Sequence, residues 1–184
     1  MIRSLVLFTH VVGVLALFVG LGLEWIGLDG IQRSTTRAEA LPWLRLIAIV
    51  PRLFGTALAA IVVSGFYLGA RVGVLGNDWM RASYGALLLM AIVSGPVSRS
   101  PMRALKRVAD VPDGTAALRA AAANPILRLS LRIRIAFGLA IVFLMIAKPA
   151  AGESLLVLAL ASMVTIATSL TRRTTPSTAV QGYR

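Results

Sequence analysis

LVLFTHVVGVLALFVGLGL, residues 5–23, holds one imidazole and otherwise only apolar side chains, glycine and a single threonine. With Ser4 the run is twenty residues long. At about 1.5 Å of rise per residue, a helix of that length crosses a hydrocarbon core of roughly 30 Å. Leu53 to Ala70, between Arg52 and Arg71, and Ala82 to Ser98, between Arg81 and Arg99, repeat the pattern in slightly shorter form. In the fourth run only Ile135 to Ala147 is free of charge, about 20 Å of helix and too short alone. Asn124 as N-cap and Pro125 in the first turn lengthen it, so the helix carries Arg128, Arg132 and Arg134 at one end and stops near Lys148 and Pro149. Long arginine side chains at a helix end reach the headgroups by snorkelling. Ser154 to Thr171 is the fifth run.

The fold class expected is therefore all-α: a polytopic membrane helix bundle of five transmembrane helices, at about 4–23, 53–70, 82–98, 125–147 and 154–171, with four as the alternative if the last is peripheral. His10 interrupts the first apolar run and no small-x-small cleavage site follows it, which favours a retained span over a cleaved leader. With the N-terminus outside, Arg3, Arg71, Arg81 and Lys148 are external and the other fifteen of nineteen cations are internal. That asymmetry sets an N-out, C-cytoplasmic threading and a multi-pass place in a bacterial inner membrane. A mean hydropathy of +0.84 exceeds what a soluble domain of 184 residues buries. The net charge of +12 is then loop charge meeting anionic lipid; nucleic acid is not expected, since no aromatic-plus-basic face accompanies it. The absence of cysteine excludes disulfides, thiolate metal sites and cysteine nucleophiles.

Two segments are expected outside the bilayer. Gly30 to Trp43 links the first two spans, with Leu41 to Val50 either an interfacial helix or an early start of the second span. Residues 99–124 form a basic cytoplasmic hairpin with a turn signal at Asp113-Gly114 and an alanine-rich helical run from Ala116 to Ala123. The 99–134 segment is expected to rest on anionic headgroups or to recruit a partner. Gly65 and Gly69 make a small-xxx-small pair for close helix packing within the bundle, and the bundle as a whole is expected to form a homo-oligomer or to join a membrane partner subunit. Gly95-Pro96 should kink or end the third span. Trp25, Trp43, Tyr67, Trp79 and Tyr84 fall near predicted interfaces.

His10, Gly13, Leu17, Gly20 and Glu24 recur every three or four residues, a single helical stripe that should face protein. An imidazole within lipid is costly unless partnered, which makes His10 a functional candidate. Two readings stand. His10 is a metal ligand, axial to haem b or bound to copper, with Gly13 and Gly20 making room for a flat ring and Met90, Met145 or Met163 as a second ligand; or it hydrogen-bonds across the bundle to a serine, threonine or carbonyl. Glu24 lies about 21 Å further along the helix, too far for a dyad. Its expected role is charge pairing with Arg52, Arg132 or Arg134, with proton relay as the alternative. Ser64-Gly65 and Ser94-Gly95 lack a base and an oxyanion arrangement, so no hydrolytic triad is built.

LVLFTHVVGVLALFVGLGL, PRLFGTALAAIVVSGFYLGA at Pro51 to Ala70 and FLMIAKP at Phe143 to Pro149 together resemble a bacterial family of uncharacterised integral membrane proteins. That family is distantly similar to the membrane domain of copper-resistance protein D and to HemJ-type protoporphyrinogen oxidase. The likeness covers the first four spans. It implies that His10 matches a first-helix histidine that ligates haem, and that Lys148 matches a lysine closing the fourth helix, an interface anchor or a contact for an anionic group. Against the copper-resistance pattern the chain has no further histidine and no Met-rich extracytoplasmic motif, which argues against copper transport. Three functions are carried forward: a haem- or porphyrin-associated redox protein using His10, a non-catalytic accessory or scaffold subunit, and a small transporter.

Overall fold

The computed structural model describes residues 1–109 and 114–171. Seven α-helices follow one another there: α1 (Ile2–Arg33), α2 (Arg37–Val72), α3 (Asp78–Ile92), α4 (Ser98–Ala109), α5 (Thr115–Ala122), α6 (Pro125–Ala147) and α7 (Ala151–Thr171), with a π-helical turn at Val93–Val97 between α3 and α4. Among the described residues α1, α2 and the stretch Thr115–Ala147 are long and apolar enough to cross a membrane, and Ala151–Ala167 is a shorter apolar helix. Leu5, Phe8, Leu15, Val63, Ile146 and Leu155 are each more than half exposed, a cost in water that lipid tails remove. The chain is an all-α, multi-pass membrane protein.

Local chemistry sets the helix ends. At α2 the Thr36 hydroxyl accepts from the Glu39 amide at 3.3 Å, and the Glu39 carboxylate accepts from the Thr35 amide at 2.8 Å, a capping box displaced by one residue. Gly73 ends α2 in the left-handed region at φ 75°, where glycine carries no Cβ penalty. At α6 the Asn124 side chain accepts from the Ile126 amide at 2.9 Å. Lys148 closes α6 in the left-handed region at φ 49°, and Pro149 forbids continuation.

One expected break is shortened and another takes the form of a π turn. The loop placed over Gly30 to Trp43 reduces to Ser34–Thr36, because α1 continues to Arg33 and α2 begins at Arg37. Leu41 to Val50 is thus an early start of α2, with both Pro42 and Pro51 inside the helix. Each proline forfeits one backbone bond, offset here by burial of Ile47, Val50 and Phe54. Gly27 and Gly30 allow the extension: a Cβ on Gly27 would fall 2.6 Å from Ile47 Cγ1, and one on Gly30 within 2.7 Å of three ring atoms of Trp43. Trp43 therefore lies on α1, where an interfacial ring was expected. At Gly95-Pro96, where a kink or end of the third span is expected, α3 stops at Ile92 and a π-helical turn over Val93–Val97 takes in the proline before α4 begins.

Packing is uneven along the bundle. α1 and α2 form a tightly packed antiparallel hairpin, α6 packs on α3 and α7, and α2 with α3 makes no comparable contact. A cleft consequently runs between α2 and α3, with α1 and α6 behind it. At the end away from His10, α4 and α5 fold over the helices: Ile31, Leu105, Leu118, Ala122 and Leu127 are 0–2% exposed. Gln32 is the latch, donating to the Ala122 carbonyl at 2.8 Å, accepting at its own carbonyl from Arg119 Nε at 3.0 Å and at its amide oxygen from Arg128. The expected basic hairpin is thus a pair of helices that bury Leu105, Leu118 and Ala122 against the bundle and leave Arg103 and Arg107 exposed. Asp113 of the expected turn lies outside the described residues.

Candidate functional site

His10 and Glu24 stand on the same protein-facing stripe of α1, fourteen residues apart, and each borders a separate cavity. The first cavity, of about 340 Å³, opens between α2 and α3 and is lined mainly by apolar groups, with His10, Ser83, Tyr84, Met80 and Met145 on its wall and Arg3 and Lys148 beside them. His10 Nδ1 lies 3.0 Å from Ser64 Oγ, and the Ser64 hydroxyl donates to the Ala60 carbonyl. Its one hydrogen being used there, Ser64 must accept from the imidazole. The network therefore assigns the proton to Nδ1 and leaves the Nε2 lone pair free. Gly65 makes room for this arrangement: a Cβ there would stand 3.2 Å from His10 Cε1 and 3.8 Å from the Tyr84 hydroxyl.

The other glycines serve different ends from those expected. Gly13 and Gly20 do not line the cavity. A Cβ at Gly13 would meet Ile61 Cγ1 at 3.1 Å and the Ala57 carbonyl at 3.4 Å, and one at Gly20 would meet Leu53 at 3.6 Å, so both seat α2 against α1 and neither makes space for a ring. Gly69 is filled by the Met80 methyl and by Leu75, so the Gly65 and Gly69 pair admits side chains where a close backbone approach was expected. Of the methionines named as second ligands, Met145 borders the cavity, Met90 is wholly buried in the core and Met163 is 57% exposed. Among the described residues no group of three or more His, Cys, Asp or Glu side chains gathers as a metal site.

The second cavity, of about 420 Å³, lies toward the α4–α5 end and is bordered by Glu24, Phe54, Gly55, Ser94, Gly95, Arg103 and Arg134, among others. Glu24 Oε1 accepts from Arg134 Nη2 at 2.5 Å, with the two side chains 3% and 4% exposed. Arg134 Nε reaches the Ser130 carbonyl at 3.3 Å, and its guanidinium sits 5.4 Å above the Phe54 ring. Ser130 Oγ bonds Ser98 Oγ at 2.7 Å, and Ser98 donates to the Val93 carbonyl at 2.8 Å, one of the acceptors freed at the π turn. Glu24 thus joins α1, α6, α4 and the π turn in one polar network, with the Phe54 ring of α2 against the guanidinium. Of the arginines proposed for Glu24, Arg134 makes the pair. Arg52 is exposed, and Arg132 borders a smaller cleft with Trp25, Asp29 and Arg128.

Three contributors had no strong sequence signal. Tyr84, read as an interfacial aromatic, has a buried hydroxyl with no hydrogen-bond partner among the described residues. Ser64 is the serine of the expected cross-bundle hydrogen bond to His10, although no local pattern singles it out from the other serines. Gln32 binds groups 87 to 96 residues away, and such pairings leave no local pattern. Comparison with protein-family models, with curated proteins and with solved structures finds no match to this chain.

Proposed function

We propose that this chain is a five-span protein of a bacterial inner membrane, N-terminus outside, that holds an amphipathic ligand of the porphyrin class, haem b, in the His10 cavity. The π turn extends α3 to about 30 Å of continuous helix, and α7 has a similar length; these supply the fourth and fifth crossings. The observation that carries the ligand reading is the His10–Ser64–Ala60 relay on the cavity wall. A ligating histidine characteristically donates its other nitrogen to a fixed acceptor, and Ser64 is that acceptor. The donor set fits the group: one imidazole nitrogen with a free lone pair, the thioethers of Met80 and Met145 on the same cavity, and Arg3 with Lys148 to meet carboxylates. A volume near 340 Å³ is at the lower end for bound ligands, and the lipid-facing cleft takes what the cavity does not enclose.

When bound, haem supplies one-electron redox chemistry. The chain itself holds His10 in one tautomer, excludes water with Ile61, Leu68 and Leu87, and presents the Tyr84 hydroxyl as an unused donor. The expected result is a Soret band in detergent-purified protein from haem-replete cells, absent in His10→Ala and weakened in Ser64→Ala. A colourless preparation overturns the reading. The basic outer face of the α4–α5 cap favours a second one, an accessory subunit, which predicts a co-purifying membrane partner lost when Arg103 and Arg107 are neutralised.

A further inference from the structure

The cavity beside Glu24 and Arg134 has a chemistry of its own. Arg134 spends Nη2 on Glu24 and Nε on Ser130, so Nη1 has no hydrogen-bond partner among the described residues, and neither has Glu24 Oε2 or the Ser94 hydroxyl. All three residues border the cavity, and Arg103 of α4 stands at it with an exposed side chain. Around one space the protein thus sets donors from two guanidinium groups and a hydroxyl against a single free acceptor. The ion pair nearly cancels its own charge, which leaves Arg103 to give the site a net positive sign. The rest of the wall, Val50, Phe54, Leu58 and Ala91, is apolar.

We propose that this cavity is a binding site for an anionic phospholipid whose phosphodiester carries a hydroxylated head, phosphatidylglycerol in chemical type, independent of any ligand at His10. The phosphate oxygens accept from Arg134 Nη1, Ser94 and Arg103. A head hydroxyl donates to Glu24 Oε2. An acyl chain lies against the apolar wall of this same cavity, Val50, Phe54, Leu58 and Ala91. Three donors to one acceptor select an oxygen-rich anion over an ammonium head, and basic pockets between membrane helices are where anionic headgroups lodge. Gly55 and Gly95 keep the space open, since nothing lies within 4 Å of where a Cβ would stand on either.

Native mass spectrometry of the full chain in detergent, titrated with phosphatidylglycerol or phosphatidylethanolamine, tests this. Wild type should retain phosphatidylglycerol preferentially. Arg103→Ala should weaken it about tenfold, the loss expected of one charge-assisted hydrogen bond. Gly55→Leu, which fills open space without touching the ion pair, should abolish the preference while leaving the melting temperature and any Soret band unchanged. Equal retention of the two lipids by wild type, or retention of phosphatidylglycerol by both variants at wild-type strength, overturns the proposal and marks the lipid as annular.

Discussion

The two ends of the α1 stripe solve the same problem, a polar group inside an apolar bundle, in opposite ways. At Glu24 the protein assembles a closed network in which a carboxylate, a guanidinium, two serines and a π turn are tied across four elements. At His10 it makes one bond to Ser64 and leaves the imidazole half-buried beside a cavity and a Tyr84 hydroxyl without a partner. Burying a charge is tolerable only with near-complete compensation, whereas a neutral imidazole with one bond satisfied can be left available. The first arrangement ties the bundle together, and the second leaves exposed to a cavity the imidazole that the proposed ligand would use.

Mutations that attack each end should separate these roles. The largest loss is expected for Arg134→Ala, which strands Glu24 as an uncompensated buried charge at about 3–5 kcal/mol, a large share of a typical folding free energy. The double variant Glu24→Gln with Arg134→Met should recover most of it. His10→Ala, by contrast, should cost about 1 kcal/mol or less, because Ser64 keeps its bond to Ala60. Thermal denaturation in detergent reads both, and a His10 variant as unstable as the arginine variant would erase the contrast. Next in size is Gly30→Ala, whose methyl group must displace the Trp43 ring at about 1–3 kcal/mol; retained stability would show that the α1–α2 turn is looser than its packing indicates.

The smallest effect belongs to the turn between α1 and α2. The Thr35 backbone amide, then the Thr35 hydroxyl, and more weakly Thr36, hold the Glu39 carboxyl below the ordinary carboxylate range. A depressed folded pKa means the cap is fully present above the unfolded value and is lost as pH falls through the folded one. Hydrogen exchange at the Thr35 amide should therefore lose protection relative to its intrinsic rate on acidification through that range, and Glu39→Gln should remove the dependence. An exchange profile identical in both proteins would show that the carboxylate contributes nothing to the turn.

What could be read in the sequence was whatever had a short period or a local signal. The Asn124-Pro125 start of α6 and its stop at Lys148-Pro149 are written in adjacent residues, and the stripe on α1 follows from the helical repeat alone. The extension of α1 to Arg33 was hidden because Glu24, Asp29 and Arg33 look like the end of a span. In the structure Asp29 pairs with Arg33 at 2.8 Å on the surface, while Gly27, Gly30 and Ile31 continue the packed face. The two cavities were not legible at all, since they arise where α2 and α3 pack only sparsely on each other.

That α1 and α2 are packed so closely on each other, across a connection of three residues, also bears on how the chain is made. Contacts near in sequence form early and cheaply, and the first 72 residues hold the most extensive helix–helix contact of the fold. They can assemble as a unit at the insertion machinery while later helices are still being synthesised. Arg134, by contrast, reaches Glu24 only after 110 further residues have emerged. The Glu24 carboxylate therefore gains its buried partner only once α6 has been made.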